Sequence, residues 1–164
     1  MSSGARSNDD RPRVSITKLA DMKAEGEPIT MVTAYDFPSA QVVEEVGVDV
    51  VLVGDSAANC VLGYDSTVPV GMEEMIMLAA AVRRGLRTPL MVGDMPFGSY
   101  EASNELAVAN AQRLVKEAGC DIWCAGLARF WGRNGLFRRQ RLGAAEIDAD
   151  ELAAWSARVE TELG

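Results

Sequence analysis

Val50-Val51-Leu52-Val53-Gly54-Asp55-Ser56 is the stretch whose reading decides the fold. Four aliphatic residues run without a polar break and stop at a glycine, after which come an acid and a hydroxyl. An uninterrupted apolar run of this length reads as a strand buried on both faces, delivering Asp55 and Ser56 to its carboxyl end. The pattern recurs at Leu90-Met91-Val92-Gly93-Asp94. An earlier apolar stretch, Ile29-Thr30-Met31-Val32-Thr33, also ends in an acid, through Ala34-Tyr35-Asp36. Strands that repeatedly finish in carboxylates point to a cation site at one rim of a parallel sheet.

Between these strands the pattern turns helical. Ile16 to Glu25 has helical composition, closed by Gly26 and Pro28. Phe37-Pro38 leads from the first strand into a helix expected to bury Val42, Val43 and Val46 and to stop at Gly47. The second strand is expected over Val48 to Val53. A long irregular stretch, Ala57 to Pro69, comes next, and loops of this length are usually functional. A helix over Met72 to Arg84 carries Glu73 and Glu74 in its first turn and Arg83 and Arg84 in its last, matching the helix dipole. The third strand is expected over Pro89 to Val92. Ser103 then caps a helix with the apolar stripe Leu106, Ala107, Ala111, Leu114, Val115 and Ala118, ended by Gly119.

Residues 29–119 thus read β-α-β-α-β-α, which implies parallel strands joined by helical crossovers. A doubly wound sheet and a (β/α)8 barrel both satisfy that alternation. No Gly-x-Gly-x-x-Gly comes after a strand, which weakens the dinucleotide-binding form. Carboxylates at several strand ends favour the barrel, whose sites gather at that face.

Composition narrows the chemistry. The 164 residues make one domain, and 48% hydrophobic content makes it globular. A formal charge of −8 argues against a nucleic-acid backbone as partner. The absence of histidine removes Ser-His-Asp and Cys-His catalysis and most zinc sites from the chain. Carboxylates, hydroxyls, backbone amides or a hard metal must do any chemistry. The three cysteines, Cys60, Cys120 and Cys124, argue against a disulfide framework and make a reducing setting the default. Cys120 and Cys124 are able to share a metal, but without further nearby ligands they read as small buried hydrophobes. Residues 1–13 are polar, lack the apolar core of a secretory signal, and are expected to be a disordered tail. No apolar run approaches the ~20 residues of a membrane helix, so a soluble cytoplasmic protein is expected.

After Asp121 the character changes. Ile122-Trp123-Cys124-Ala125-Gly126 is a poor strand by composition, and from Ile122 to Gly143 every charged residue is arginine. Asp148-Ala149-Asp150-Glu151 then resembles a capping box, and Leu152, Trp155, Val159 and Leu163 share one helical face. The expected organisation is a tail over 1–13, a partial (β/α) barrel over 14–121, and a divergent tail over 122–164 ending in an amphipathic helix.

Asp55 and Asp94 are the sharpest pair. Magnesium takes oxygen ligands and keeps positions open for substrate, and two carboxylates on neighbouring strand ends supply such a site. The alternative is that each aspartate caps the turn or helix just after it. Ser56 is placed to donate a hydrogen bond to a substrate oxyanion, or is an ordinary loop serine. Asp36 and Asp65 read as turn-formers or supporting partners.

Five ordered blocks carry a resemblance: Thr33-Ala34-Tyr35-Asp36, Val53-Gly54-Asp55-Ser56, Gly63-Tyr64-Asp65-Ser66-Thr67-Val68-Pro69-Val70, Ala81-Val82-Arg83-Arg84-Gly85 and Asp94-Met95-Pro96-Phe97-Gly98-Ser99-Tyr100. Together, over roughly Ile16 to Asp121, they closely resemble ketopantoate hydroxymethyltransferase, that is, 3-methyl-2-oxobutanoate hydroxymethyltransferase. The resemblance implies a (β/α)8 barrel, here about three to four βα units. It implies transfer of a hydroxymethyl group from 5,10-methylenetetrahydrofolate to 3-methyl-2-oxobutanoate, through a Mg2+-stabilised enolate, on the route to pantothenate and coenzyme A. By motif, Asp55 and Asp94 are metal ligands, and Asp55, Ser56 and Asp94 contact the 2-oxo acid. Beyond Ala118-Gly119-Cys120-Asp121 the family continues with a strand ending Val-Lys-x-Glu-Gly-Gly, whose Lys binds substrate and whose Glu assists at the metal. Aligned without a gap, those positions hold Cys124 and Gly126 here. The family's general-base Glu lies further along, so no catalytic base is assigned in this chain. There are two rival readings: a truncated, non-catalytic remnant or subunit, and an enzyme of the phosphoenolpyruvate mutase and isocitrate lyase kind acting on 2-oxo acids.

A partial barrel leaves two open sheet edges and an uncovered apolar interior, and a homo-oligomer is therefore expected. Sizing and calorimetry test this: self-association or a weak transition is the expected outcome, and a monodisperse, cooperatively melting monomer contradicts it.

Overall fold

Each strand reaches its neighbour through a helix laid on the same side of the sheet. A computed structural model describes residues 11–125, in the order α1 (Ile16–Glu25), β1 (Met31–Thr33), α2 (Phe37–Val46), β2 (Val50–Val53), α3 (Ala57–Cys60), α4 (Met72–Gly85), β3 (Leu90–Met95), α5 (Asn104–Lys116) and β4 (Ile122–Ala125). The four strands are all parallel and lie in chain order, β1-β2-β3-β4. A doubly wound sheet reverses its strand order part-way and puts helices on both faces. Here the order never reverses. Ala40 and Val43 of α2, Met75, Ala79 and Val82 of α4, and Ala111 and Leu114 of α5 join one core with Val51, Val53, Met91 and Met95. The fold is an arc of singly wound βα units, the winding of the barrel class.

Register explains the two faces. Val50 pairs with Leu90, Leu52 with Val92, and Val92 with Ile122, so these side chains share the face away from α2, α4 and α5. At its amino end α1 covers that face, where Leu19 and Met22 pack with Val50 and Leu90. The outermost strand, β1, is exposed along its length, Met31 and Val32 included.

Most of the expected helix boundaries are found. Ser15 caps α1 and Gly26 ends it in the left-handed region, at φ 72°. Asp36 caps α2, its Oδ1 accepting from Ser39 N–H at 2.8 Å, and Ser103 caps α5. Helix α4 runs one residue past the expected Arg84, with Gly85 as its last residue. A Cβ there would lie 2.7 Å from Ala40 Cβ and 2.9 Å from the Phe37 carbonyl oxygen, so only glycine lets α4 close on α2.

Several expectations are corrected. In α2, Val43 is buried as expected, but Val42 and Val46 are exposed, at 60% and 73%, and Ala40 and Glu44 are buried instead. Valine content suggests the wrong stripe because α2 meets α4 through its small residues. The irregular stretch after Ser56 begins with the short helix α3. Strand β3 runs on to Met95, so Asp94 lies inside it. The segment read as a poor strand after Asp121 is β4, paired in register with β3 from Val92–Ile122 to Met95–Ala125. Strand pairing extends the sheet past the expected boundary at 121. Of the expected 1–13 tail, residues 1–10 lie outside the described residues. Arg11 donates to the Glu44 carbonyl at 2.6 Å, and Arg13 pairs with Asp121. The expected terminal helix also lies outside the described residues.

Glu44 is a carboxylate the apolar pattern does not reveal. It clamps the start of β3, accepting from Arg87 N–H (2.7 Å), Thr88 N–H (3.0 Å) and the Thr88 hydroxyl (2.8 Å). Burial opposes its ionisation, but these bonds and the Arg11 charge outweigh burial and hold its carboxyl below the usual range. A depressed folded pKa gives stability that is present above the unfolded pKa and lost as pH falls through the folded one. Glu44→Gln is expected to cost about 1–3 kcal/mol at pH 7. In urea titrations the gap between variant and wild type should close as pH falls below the carboxylate range.

Candidate functional site

Parallel strands deliver their carboxyl ends to one rim, and the site is built there. Leu52 pairs with Val92, and Asp94 pairs with Cys124, so Gly54, Asp94 and Cys124 stand in line on the face opposite the helices. Gly54 is buried where β2 turns toward α3. A Cβ on it would crowd Ser56 Oγ at 3.1 Å and meet Asp94 Oδ2 at an ordinary contact distance of 3.7 Å.

Asp94 is the centre. It is 4% exposed. Its Oδ2 accepts from Asp55 N–H at 3.4 Å, and its Oδ1 accepts from the Cys124 thiol at 3.0 Å. Burial pushes the Asp94 carboxyl above the usual range, and the Asp55 charge adds to that, against the Cys124 hydrogen bond. Asp55 is half-buried beside it. The two carboxylates expected from sequence are therefore brought together, close enough for one to resist the ionisation of the other.

Ser56 is brought to the same place. Its Oγ lies 2.8 Å from Tyr35 OH, a hydrogen bond that fixes the hydroxyl from the end of β1. Burial raises the Tyr35 phenol, so it stays neutral and able to donate. Asp36 is not part of the site: it caps α2 and is exposed. Asp65 is exposed in the loop before α4. In that loop, Tyr64 OH donates to Glu74 Oε1 at 2.7 Å, which ties the Gly63–Val70 block to the start of α4.

Sequence reasoning misses two residues. Cys124 reads as a small hydrophobe, yet its thiol faces Asp94; burial, then the Asp94 charge, push it far above the usual thiol range, so it is a donor and not a thiolate. Strand alternation with Ile122 is the available signal, hidden because the composition of β4 is poor for a strand. Cys120, by contrast, sits in the helix-side core, its thiol pushed up by burial to about 12. Tyr35 belongs to one of the family blocks, and nothing in its spacing shows that it reaches Ser56.

The donor set suits a hard cation. Two adjacent carboxylates, one deeply buried, concentrate negative charge that a divalent ion offsets, and magnesium is often held by one or two carboxylates with water and substrate completing its shell. Among the described residues no group of three Asp, Glu, Cys or His converges to hold an ion. An ion at this pair would need further oxygens from outside the described residues.

The family model for ketopantoate hydroxymethyltransferase matches residues 13–124. The chain belongs to the ketopantoate hydroxymethyltransferase family. It is 48% identical over 118 residues to "3-methyl-2-oxobutanoate hydroxymethyltransferase 1, mitochondrial" of Arabidopsis thaliana, covering 72% of this chain and 34% of that protein. It is 55% identical over 105 residues to the 3-methyl-2-oxobutanoate hydroxymethyltransferase of Geobacillus kaustophilus, 64% of this chain and 38% of that one. The Desulfotalea psychrophila protein of the same name is 51% identical over 110 residues, 67% of this chain and 39% of that one. The matched region spans a little over a third of these relatives' length. In this family member the match ends on Cys124, the thiol that faces Asp94.

The raised Asp94 pKa couples the site to stability. A carboxyl with a raised folded pKa stabilises the fold below its unfolded pKa and loses that contribution as pH rises through the folded one. Asp94→Asn removes the buried charge and keeps an acceptor, so without added metal it should melt no lower than wild type at pH 7. The two melting temperatures should converge as pH falls and Asp94 becomes neutral.

Proposed function

We propose that this chain supplies the metal and oxo-acid grip of a 3-methyl-2-oxobutanoate hydroxymethyltransferase. The reaction moves a one-carbon unit from 5,10-methylenetetrahydrofolate to 3-methyl-2-oxobutanoate, toward pantothenate. The observation that carries it is the convergence of Asp55 and Asp94 at adjacent strand ends in a chain of this family.

Asp55 and Asp94 would hold Mg2+. When bound, the ion supplies positive charge at the keto and carboxylate oxygens of the acid, acidifying the neighbouring C–H and stabilising the negative charge left behind. The chain's own groups do the rest of the binding. Ser56, oriented by Tyr35, offers a hydroxyl to a substrate oxygen. Asp55 N–H and the Cys124 thiol hold the Asp94 carboxylate in one rotamer. The buried wall of β2 and β3 behind Asp94 limits water and strengthens each polar contact. We place the protein in the cytoplasm, on the free thiols of Cys60, Cys120 and Cys124. No helix among the described residues is long and apolar enough to cross a membrane.

Calorimetric titration tests the reading. Mg2+ with 3-methyl-2-oxobutanoate should bind the wild type, and Asp55→Asn and Asp94→Asn should each weaken binding at least tenfold. Ser56→Ala should weaken the oxo acid about 3–10-fold, the cost of one hydrogen bond, with little effect on the metal alone. Unchanged binding in both aspartate variants would overturn it. Ketopantoate formation from added methylenetetrahydrofolate separates an active chain from one that only binds.

A further inference from the structure

Charge is segregated between the two ends of this sheet. No lysine or arginine occurs between Lys23 and Arg83, or between Arg87 and Arg113. Those two spans hold the loops that leave the carboxyl ends of β1, β2 and β3. Basic residues gather at the opposite end. Arg11 bonds the Glu44 carbonyl, and Arg13 pairs with Asp121 just before β4. Arg83 pairs with Asp121 as well and donates to the Leu86 carbonyl at 2.9 Å, ahead of β3. Arg113 reaches toward the start of α4, where it is bonded to Glu73 at 2.8 Å while also holding Glu117.

The carboxyl rim is acidic by contrast. Asp55 and Asp94 meet there, and among the described residues Asp94 bonds no cationic side chain, only the Asp55 amide and the Cys124 thiol. In the loops alongside, Tyr64 and the Gly98 N–H are held by Glu74 and Glu101, again carboxylates. Such a rim repels an anion, and a 2-oxo acid is one. The same carboxylate pair leaves a divalent ion short of ligands: Mg2+ demands near-octahedral oxygen coordination, and among the described residues no third Asp, Glu or Cys converges with them. A 2-oxo acid brings two oxygens, keto and carboxylate, and the ion brings the positive charge. Each ligand supplies what the other finds missing.

We propose that the rim takes its divalent cation and its 2-oxo acid as a coupled pair, the cation obligatory for the acid, because Asp55, Asp94 and Cys124 supply carboxylates and a neutral thiol but no positive charge. The inference rests on the metal and oxo-acid reading above and adds to it the order and the coupling. Coupling between two ligands is reciprocal, so the factor by which the ion tightens the acid is the factor by which the acid tightens the ion. Cys124 sets that coupling. A cation in its place would compete with the metal for Asp94 and would attract the acid unaided.

Calorimetric titration of the full chain at fixed pH and ionic strength reads both ligands without turnover. 3-Methyl-2-oxobutanoate alone should bind about tenfold or more weakly than in saturating Mg2+, and Mg2+ affinity should rise by the same factor when the acid is present. Cys124→Lys, which puts an ammonium beside Asp94, should bind the acid without Mg2+ and hold Mg2+ more weakly. The wild-type titrations decide alone if that variant does not fold. Equal acid affinity with and without Mg2+ overturns the proposal, because a cation from elsewhere in the chain would then serve the rim. The metal reading survives that result if Asp94→Asn still loses Mg2+, whereas no binding of acid and Mg2+ together overturns both.

Discussion

A parallel strand can be reached only by carrying the chain back across the sheet, and L-amino acids make that return right-handed. Everything in this molecule depends on the constraint being met repeatedly in one direction. Because β1 to β4 lie in chain order, α2, α4 and α5 all fall on one face, and every strand presents its carboxyl end to the same rim. The acids at the ends of β2 and β3 then have no choice but to meet. Had the order reversed after β2, Asp55 and Asp94 would not lie on neighbouring strands.

The rim is assembled at a cost to the fold. Among the described residues, Asp94 is buried without a cationic side chain bonded to it, stabilised by an amide N–H and a thiol. Glu44, at the opposite end of β3, shows the contrasting case: a carboxylate with three close donors and an arginine nearby, which the fold keeps ionised. One carboxylate fastens the sheet; the other is buried with no cationic side chain bonded to it among the described residues, the contrast on which the proposed ligand site rests.

The family resemblance and the geometry bear on different questions. The family match over residues 13–124, with relatives 48% and 51% identical over 118 and 110 residues, establishes membership. It does not by itself say what a chain spanning about a third of its relatives does. The geometry adds that the part present contains a coherent corner: a carboxylate pair, a hydroxyl set by Tyr35, and Cys124 turned toward the pair.

Much was determined by sequence alone. The glycine-ended apolar runs announced buried parallel strands, Ser103 stands at the helix start read for it, and Asp55 and Asp94 stood out as acids at the ends of such runs. These signals are local, written in the few residues that form each turn. Alternation of strands and helices is the same in a barrel and in a doubly wound sheet; the strand-end carboxylates and the family blocks pointed to the barrel, and the unbroken strand order agrees. Strand β4 was not legible, because its tryptophan and cysteine become a strand only through pairing with β3. The exposed valines of α2, the Glu44 clamp, the Tyr35–Ser56 bond and the thiol on Asp94 were likewise decided by tertiary structure. The bonds among them join partners 21 or more residues apart, and no local pattern encodes which distant neighbour a side chain will meet.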